Sequence, residues 1–360
     1  MRKFLLIALL LASPAANAGT TIETQFPAPQ NEVARLVVFG STDLVAMRPL
    51  IRHYQIENPG TAVEYFEILT ADLYDLIRKD ELLNGRAPDI VISAAMDMQF
   101  KLANDGFAKR HESPETVKLP PWANWRNEAF GFTFEPAVIV YNPKILPAED
   151  IPATRFDLVR LLREKEDTYR SKVGSYDIRK SGVGYLFATQ DALQAHTYGR
   201  LLESFGRNAV YLANTTGEVL DAIETGKLLI GYNVLGSYTR LRIAQGASLA
   251  MVLPADYTLV MSRVAFIHRQ SPNIEAAKSF LDYLLSRAGQ EVLARKSHLY
   301  AIHPELQGPG TAAELRQAAS GPLRPIRLGT GLLVNLDKLN RRRFLLDWSS
   351  AIGTKGEDNK

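Results

Sequence analysis

The 360-residue chain is 46% hydrophobic, contains no cysteine and carries a formal charge of +3, which falls to +1 without Arg2 and Lys3. The missing cysteines exclude disulfides, thiolate metal sites and cysteine nucleophiles, and the near-neutral balance excludes the basic footprint of a nucleic-acid binder. The length predicts about two domains, with ample apolar material for a core.

Residues 1–18 read as a secretory signal peptide: Met1, Arg2 and Lys3 supply the charged start, residues 4–12 the apolar run, and Ala16-Asn17-Ala18 the small-x-small site for cleavage after Ala18. The run stops at Ser13-Pro14, short of the roughly 20 residues a membrane anchor needs. A soluble, exported protein is therefore expected, in the periplasm. Residues 19–33, rich in Pro, Gln and Thr, are expected to form a flexible arm.

Three βα units follow. Residues 36–39 form a wholly apolar strand, and the turn Gly40-Ser41-Thr42-Asp43 leads into helical spacing at Leu44, Met47, Leu50, Ile51 and Tyr54. Residues 62–68 are a second strand, with a turn through Thr70 and Asp72 into a helix. Residues 90–92 are a third, followed by Ser93 and a helix that stops at Gly106. Successive βα units predict an open parallel sheet, whose ligands bind beyond the carboxyl ends of the strands. Ser41, Thr42, Thr70 and Ser93 should cluster there, although each is equally a helix cap when taken alone.

An aromatic passage through Trp122, Trp125 and residues 130–134 leads into an apolar strand ending at Tyr141 and Asn142, the pattern of a crossing to another lobe. A strand at 173–176 then delivers the chain to Ser181-Gly182-Val183-Gly184, with an amphipathic helix starting near Tyr185. A Gly/Ser turn that opens a helix points backbone N–H groups outward at the positive end of the helix dipole, where an anion can sit. The plain alternative is that the glycines only keep a βα turn tight. Thr215 and Thr216 cap a further helix, residues 228–233 and 259–268 read as strands, and residues 272–293 as one amphipathic helix. Arg341, Arg342 and Arg343 lie on a late helix as a solvated face, and the tail 353–360 should be disordered.

Motifs for catalysis are missing from the sequence: there is no HExxH, no GxxxxGK[ST] and no GxSxG, and His298 and His303 stand near a proline without metal spacing. Asp72 and Asp75 read as solvated helix residues. No cofactor, metal site or enzymatic activity is expected.

Several stretches together resemble the periplasmic solute-binding proteins of ABC importers, in the type II branch that binds ferric ion and phosphorylated solutes. They include LVVFGSTDLVAMRPLIRHYQIENPG, APDIVISAAMDMQFKLANDGFAKR, FGFTFEPAVIVYNPKILP, RKSGVGYLFATQDAL, TGEVLDAIETGKLLIGYNVLGSY and SPNIEAAKSFLDYLLSRAGQEVLAR, and the similarity covers residues 35–295. The resemblance implies an α/β protein of two lobes, each a mixed, mainly parallel sheet flanked by helices, joined by a hinge of two crossing strands. Lobe 1 would comprise 34–141 and 258–352, and lobe 2 residues 142–257. The implied ligand-binding residues are Ser41, Thr42, Thr70, Ser93, Ser181, Gly182, Gly184, Tyr185 and Tyr232. The implied partners are a small anionic solute, a phosphorylated sugar or organic phosphate or carboxylate, and an inner-membrane ABC permease, with a sensor-kinase periplasmic domain as the alternative. A monomer is expected. Ferric members of this branch use neighbouring tyrosines, whereas here Tyr232 is followed by Asn233 and the next tyrosine is Tyr238, so an organic anion is favoured over iron.

Overall fold

The computed structural model describes residues 21–194 and 197–353. The leader expected at 1–18, its cleavage site after Ala18 and residues 354–360 lie outside the described residues.

Strand Ala34–Gly40 is the centre of the first lobe. Its run Leu36, Val37, Val38 and Phe39 is buried on both faces, as a central parallel strand requires. It pairs in parallel with Thr61–Glu67 on one side and Ile90–Ser93 on the other. Helix Leu44–Glu57 packs on this sheet with Ala46, Met47, Leu50, Ile51 and Tyr54, an apolar stripe at helical spacing. Helices Thr70–Arg78 and Met96–Asn104 follow the next two strands in the same way. Among the described residues this sheet has eight strands, and Val264–His268 joins it antiparallel to Ile90–Ser93.

The second sheet has seven strands among the described residues. Val173–Tyr176 pairs in parallel with Tyr211–Ala213 and Ile230–Leu235, and Glu135–Tyr141 and Thr258–Met261 run beside them antiparallel to each other. Each sheet carries its own apolar core and its own flanking helices. The fold is thus a two-lobed α/β architecture.

Three boundaries differ from the sequence reading. First, the expected arm contains an edge strand, Ile22–Phe26, antiparallel to Thr61–Glu67. Phe26 at its end is buried beneath the guanidinium groups of Arg48 and Arg52, which fastens it. Second, the crossing lies before Glu135 rather than at Tyr141, because the whole strand Glu135–Tyr141 belongs to the second sheet, and the return lies at Ser262 and Arg263. The crossing segments are bonded to each other: Phe132 N–H donates to Arg263 O at 2.9 Å, and Arg263 N–H to Thr133 Oγ1 at 2.7 Å. Third, the C-terminal helix Lys338–Ile352, placed with lobe 1 by the sequence, packs on lobe 2. Trp348 and Ile352 enter the cluster formed by Leu201, Phe205 and Tyr232. The close fit needs a glycine: a Cβ at Gly206 would lie 2.2 Å from Ala351 O. Smaller adjustments occur as well. The helix expected at 272–293 is split at Ser286, whose hydroxyl accepts from Gly289 N–H and caps a new helix, Arg287–Arg295.

Candidate solute site between the lobes

The carboxyl ends of the first-lobe strands and the helix starts of the second lobe face one another across a cavity of about 140 Å³. Ser41, Asp43, Glu67 and Thr70 line it from the first lobe, and Ser181, Asn214, Thr215, Thr216 and Tyr238 from the second. Arg263, at the return crossing, reaches it from between them.

The wall is made largely of helix N-termini. Thr70 is the first residue of helix Thr70–Arg78, Ser181 precedes helix Gly182–Gln194, and Thr215 caps helix Thr216–Glu224. Tyr238 stands in the first turn of helix Gly236–Ala244, and Asp43 is the N-cap of Leu44–Glu57. A helix leaves its first four N–H groups without intrahelical partners and carries about half a positive charge there. Three of these starts, at Asp43, Leu69 and Leu235, have no cap from the N-cap side chain. At helix Leu44–Glu57 the positive end is already neutralised, since Glu67 Oε2 accepts from Leu44 N–H at 2.8 Å.

The lobes touch around this cavity. Tyr238 Oη donates to Asp43 Oδ1 at 3.0 Å, and Arg263 Nη1 donates to Thr42 Oγ1 at 3.0 Å. A Cβ at Gly182 would lie 2.8 Å from Thr70 Oγ1, so glycine there permits the approach of one lobe to the other. Arg263 is 1% exposed and pairs with the fully buried Glu135, Nε lying 2.8 Å from Oε1. Burial would push its guanidinium down, but Glu135, then Tyr238 and Asp43, hold it above the ordinary arginine range. Burial pushes the Glu67 carboxyl up, Leu44 N–H opposes this, and Asp43 adds to the rise.

The structure sorts the residues singled out in the sequence into three groups. Ser41, Thr70 and Ser181 line the cavity. Thr42, Ser93 and Gly182 stand just behind or beside it: Ser93 Oγ lies 3.4 Å from Ser41 Oγ and accepts from Ala95 N–H. Gly184, Tyr185 and Tyr232 face the interior of lobe 2. A Cβ at Gly184 would lie 2.3 Å from Tyr176 Cβ, so this glycine serves the tight packing of the turn. Tyr185 Oη donates to Asn335 O, and Tyr232 Oη accepts from Arg155 Nε and donates to Asp191 Oδ2, both at 2.7 Å. Arg179 is chelated by Asp177 at 2.8 and 2.7 Å. The sequence reading missed Glu67, Asn214 and Arg263, placed Asp43 only in a turn, and gave Thr215 and Thr216 only capping roles. One signal was available for Arg263, a single charge interrupting two apolar strand runs.

The family profile for bacterial extracellular solute-binding proteins matches residues 36–297. The chain belongs to this family. The substrate-binding protein of an ABC transporter from Agrobacterium tumefaciens is 35% identical and superposes with a TM-score of 0.87, over 93% of this chain and 100% of that one. At lower identity the fold alone is shared. The periplasmic binding protein AfuA from Actinobacillus pleuropneumoniae, solved with fructose-6-phosphate, is 18% identical with a TM-score of 0.71, covering 90% and 100% of the two chains. Iron-bound HitA from Pseudomonas aeruginosa is 17% identical with a TM-score of 0.68, covering 88% and 99%. No curated protein matches the sequence. As a solute-binding protein of the ABC transporter type, the chain has a two-lobed fold with a cavity where strand ends and helix starts converge.

Proposed function

We propose that this solute-binding protein captures a small solute bearing an anionic group, a phosphate or a carboxylate, in the cavity between its lobes and presents it to an inner-membrane ABC permease. The observation that carries the reading is the convergence of four helix starts, at Thr70, Ser181, Thr215 and Tyr238, on one cavity. Oriented N–H groups in a cavity that closure shields from water favour an oxyanion. Ser41, Thr70, Ser181, Asn214, Thr216 and Arg263 are the residues assigned to it, and Thr42, Ser93 and Gly182 support them. The protein works as an exported monomer after removal of residues 1–18 and binds its solute without converting it.

The ferric reading asks for neighbouring phenolates. Tyr238 stands on the cavity, but the Tyr232 hydroxyl is engaged inside lobe 2 by Arg155 and Asp191. Ferric loading is therefore expected to give no tyrosinate-to-iron absorption band, and a visible band would favour iron. Native mass spectrometry of freshly purified protein tests the main reading. A retained acid, released unchanged on denaturation, is the expected result; a neutral solute would overturn it.

A further inference from the structure

The anion-binding helix starts account for only part of the cavity. Asp43 and Glu67 also line it, the first as the N-cap of helix Leu44–Glu57 and the second as the last residue of strand Thr61–Glu67. Each carboxylate gives one oxygen to the protein, Asp43 Oδ1 to the Tyr238 hydroxyl and Glu67 Oε2 to Leu44 N–H. Asp43 is exposed at the rim, whereas Glu67 is half-buried.

The balance of charge around them is uneven. Arg263, which shares the cavity, is held by Glu135 through Nε at 2.8 Å and Nη2 at 3.3 Å, with Nη1 donating to Thr42. Its charge is matched before any solute arrives. Asp43 and Glu67 form no ion pair among the described residues, although most half-buried carboxylates other than Glu67 do, such as Asp157 with Arg160 and Glu224 with Arg242. A neutral or purely anionic solute would leave two carboxylates facing a cavity from which closure expels water, a costly arrangement. The Tyr238–Asp43 bond runs from one lobe to the other, whereas Glu67 is held within lobe 1 by Leu44 N–H.

We propose that Asp43 and Glu67, with Tyr238, form a cation-accepting end of the cavity, so that the solute is amphoteric, with a protonated nitrogen at this end and its anionic group at the helix starts. This rests on the reading of the cavity as the solute site. A charged hydrogen bond to a carboxylate in a closed cavity is worth about tenfold or more in affinity.

Calorimetric titration of the full mature protein with three probes tests it: O-phosphoethanolamine, ethyl phosphate and ethylammonium. The expected result is that O-phosphoethanolamine binds at least about tenfold more tightly than ethyl phosphate. In Asp43→Asn/Glu67→Gln, which keeps an acceptor for Leu44 N–H, this ratio should fall toward one while the thermal midpoint shows a folded protein. Equal affinities for the two phosphates in the parent protein would overturn the amphoteric solute and leave the anion site standing. The same tenfold preference persisting in the double variant would also overturn it. Ethylammonium binding as tightly as O-phosphoethanolamine would instead remove the anion reading and keep the acidic end. Absence of binding by all three probes at millimolar concentration would overturn both.

Discussion

Two arginines of this protein are buried alike and placed differently. Arg155 is 0% exposed inside lobe 2, where it donates to Tyr232 Oη and Tyr257 O at 2.7 Å and to Asp191 Oδ1 at 3.1 Å, with its guanidinium 3.6 Å from the centre of the Tyr257 ring. Arg263 is 1% exposed at the hinge, where it joins Glu135, the first residue of its strand in the second sheet, to Thr42 of the first lobe and lies under Tyr238 of the second lobe. The first network is closed on itself and away from the cavity; the second forms part of the cavity wall. The difference lies in whether a buried charge network is sealed within one lobe or joins both lobes and meets open space.

The largest expected effect follows from the closed network. Arg155→Met leaves Asp191 buried without its ion-pair partner and should lower stability by about 3 to 5 kcal/mol, measured by denaturant unfolding, while the folded fraction keeps its solute affinity. Arg263→Lys keeps a charge at the hinge but loses the fork geometry. It should reduce solute affinity by more than its modest loss of stability accounts for, and a variant that loses stability alone would erase the contrast.

A second effect concerns the apolar seam beside the cavity, where Met96 and Phe100 of lobe 1 pack with Val183 and Leu186 of lobe 2. Asp97 is 2% exposed at this seam, and burial raises its carboxyl to about 6, with Arg341 acting in the opposite direction. The native state therefore holds a proton that the unfolded chain has already released between about pH 4 and 6. Stability should fall as pH rises through that window, by on the order of 2 to 3 kcal/mol. Asp97→Asn should remove this slope, and an unchanged pH profile in the variant would refute the assignment.

The smallest effects on stability, and the sharpest on function, separate two glycines of one turn. Gly184→Val pushes into Tyr176 and should destabilise lobe 2 by about 1 to 3 kcal/mol. Gly182→Val meets Thr70 and Ala95, both of the opposite lobe, and should leave the melting temperature within a few degrees of the parent while greatly weakening solute binding. Equal behaviour of the two variants would contradict the division of the turn into an inward and a cleft-facing side.

The parts of this division that could be read in the sequence are those encoded locally. The runs 36–39, 62–68 and 90–92 announce strands by contiguous apolar residues, and the turns after them brought Ser41 and Thr70 to the site. Helix Gly182–Gln194 begins three residues earlier than its amphipathic pattern, so Gly182 and Gly184 lie on its first turn and face opposite ways. Tyr232 points into lobe 2 rather than to the cavity between the lobes, because strand Ile230–Leu235 shifts register between Gly231 and Val234, with Asn233 at φ 58°, and alternation no longer tells which way a side chain points. Glu67 and Arg263 each end or interrupt an apolar run, and their roles depend on partners far away in the chain, Leu44 and Thr42. The docking of Lys338–Ile352 on lobe 2 is non-local in the same sense, since the apolar stripe Tyr198, Leu201, Leu202 and Phe205 tells that this helix face is covered but not which distant segment covers it.

Hydrogen exchange tests the central claim, that the solute is held by helix starts between the lobes, most directly. Protein as purified is compared with protein stripped of solute by unfolding and refolding, and with the stripped protein reloaded with a pool of phosphate monoesters. Bound solute should slow exchange at the amides after Leu69, Ser181 and Thr215, together with those of the crossing segments near Thr133 and Arg263. Protection confined to the interior around Tyr232, Asp191 and Trp348, with the helix starts exchanging freely, would contradict it.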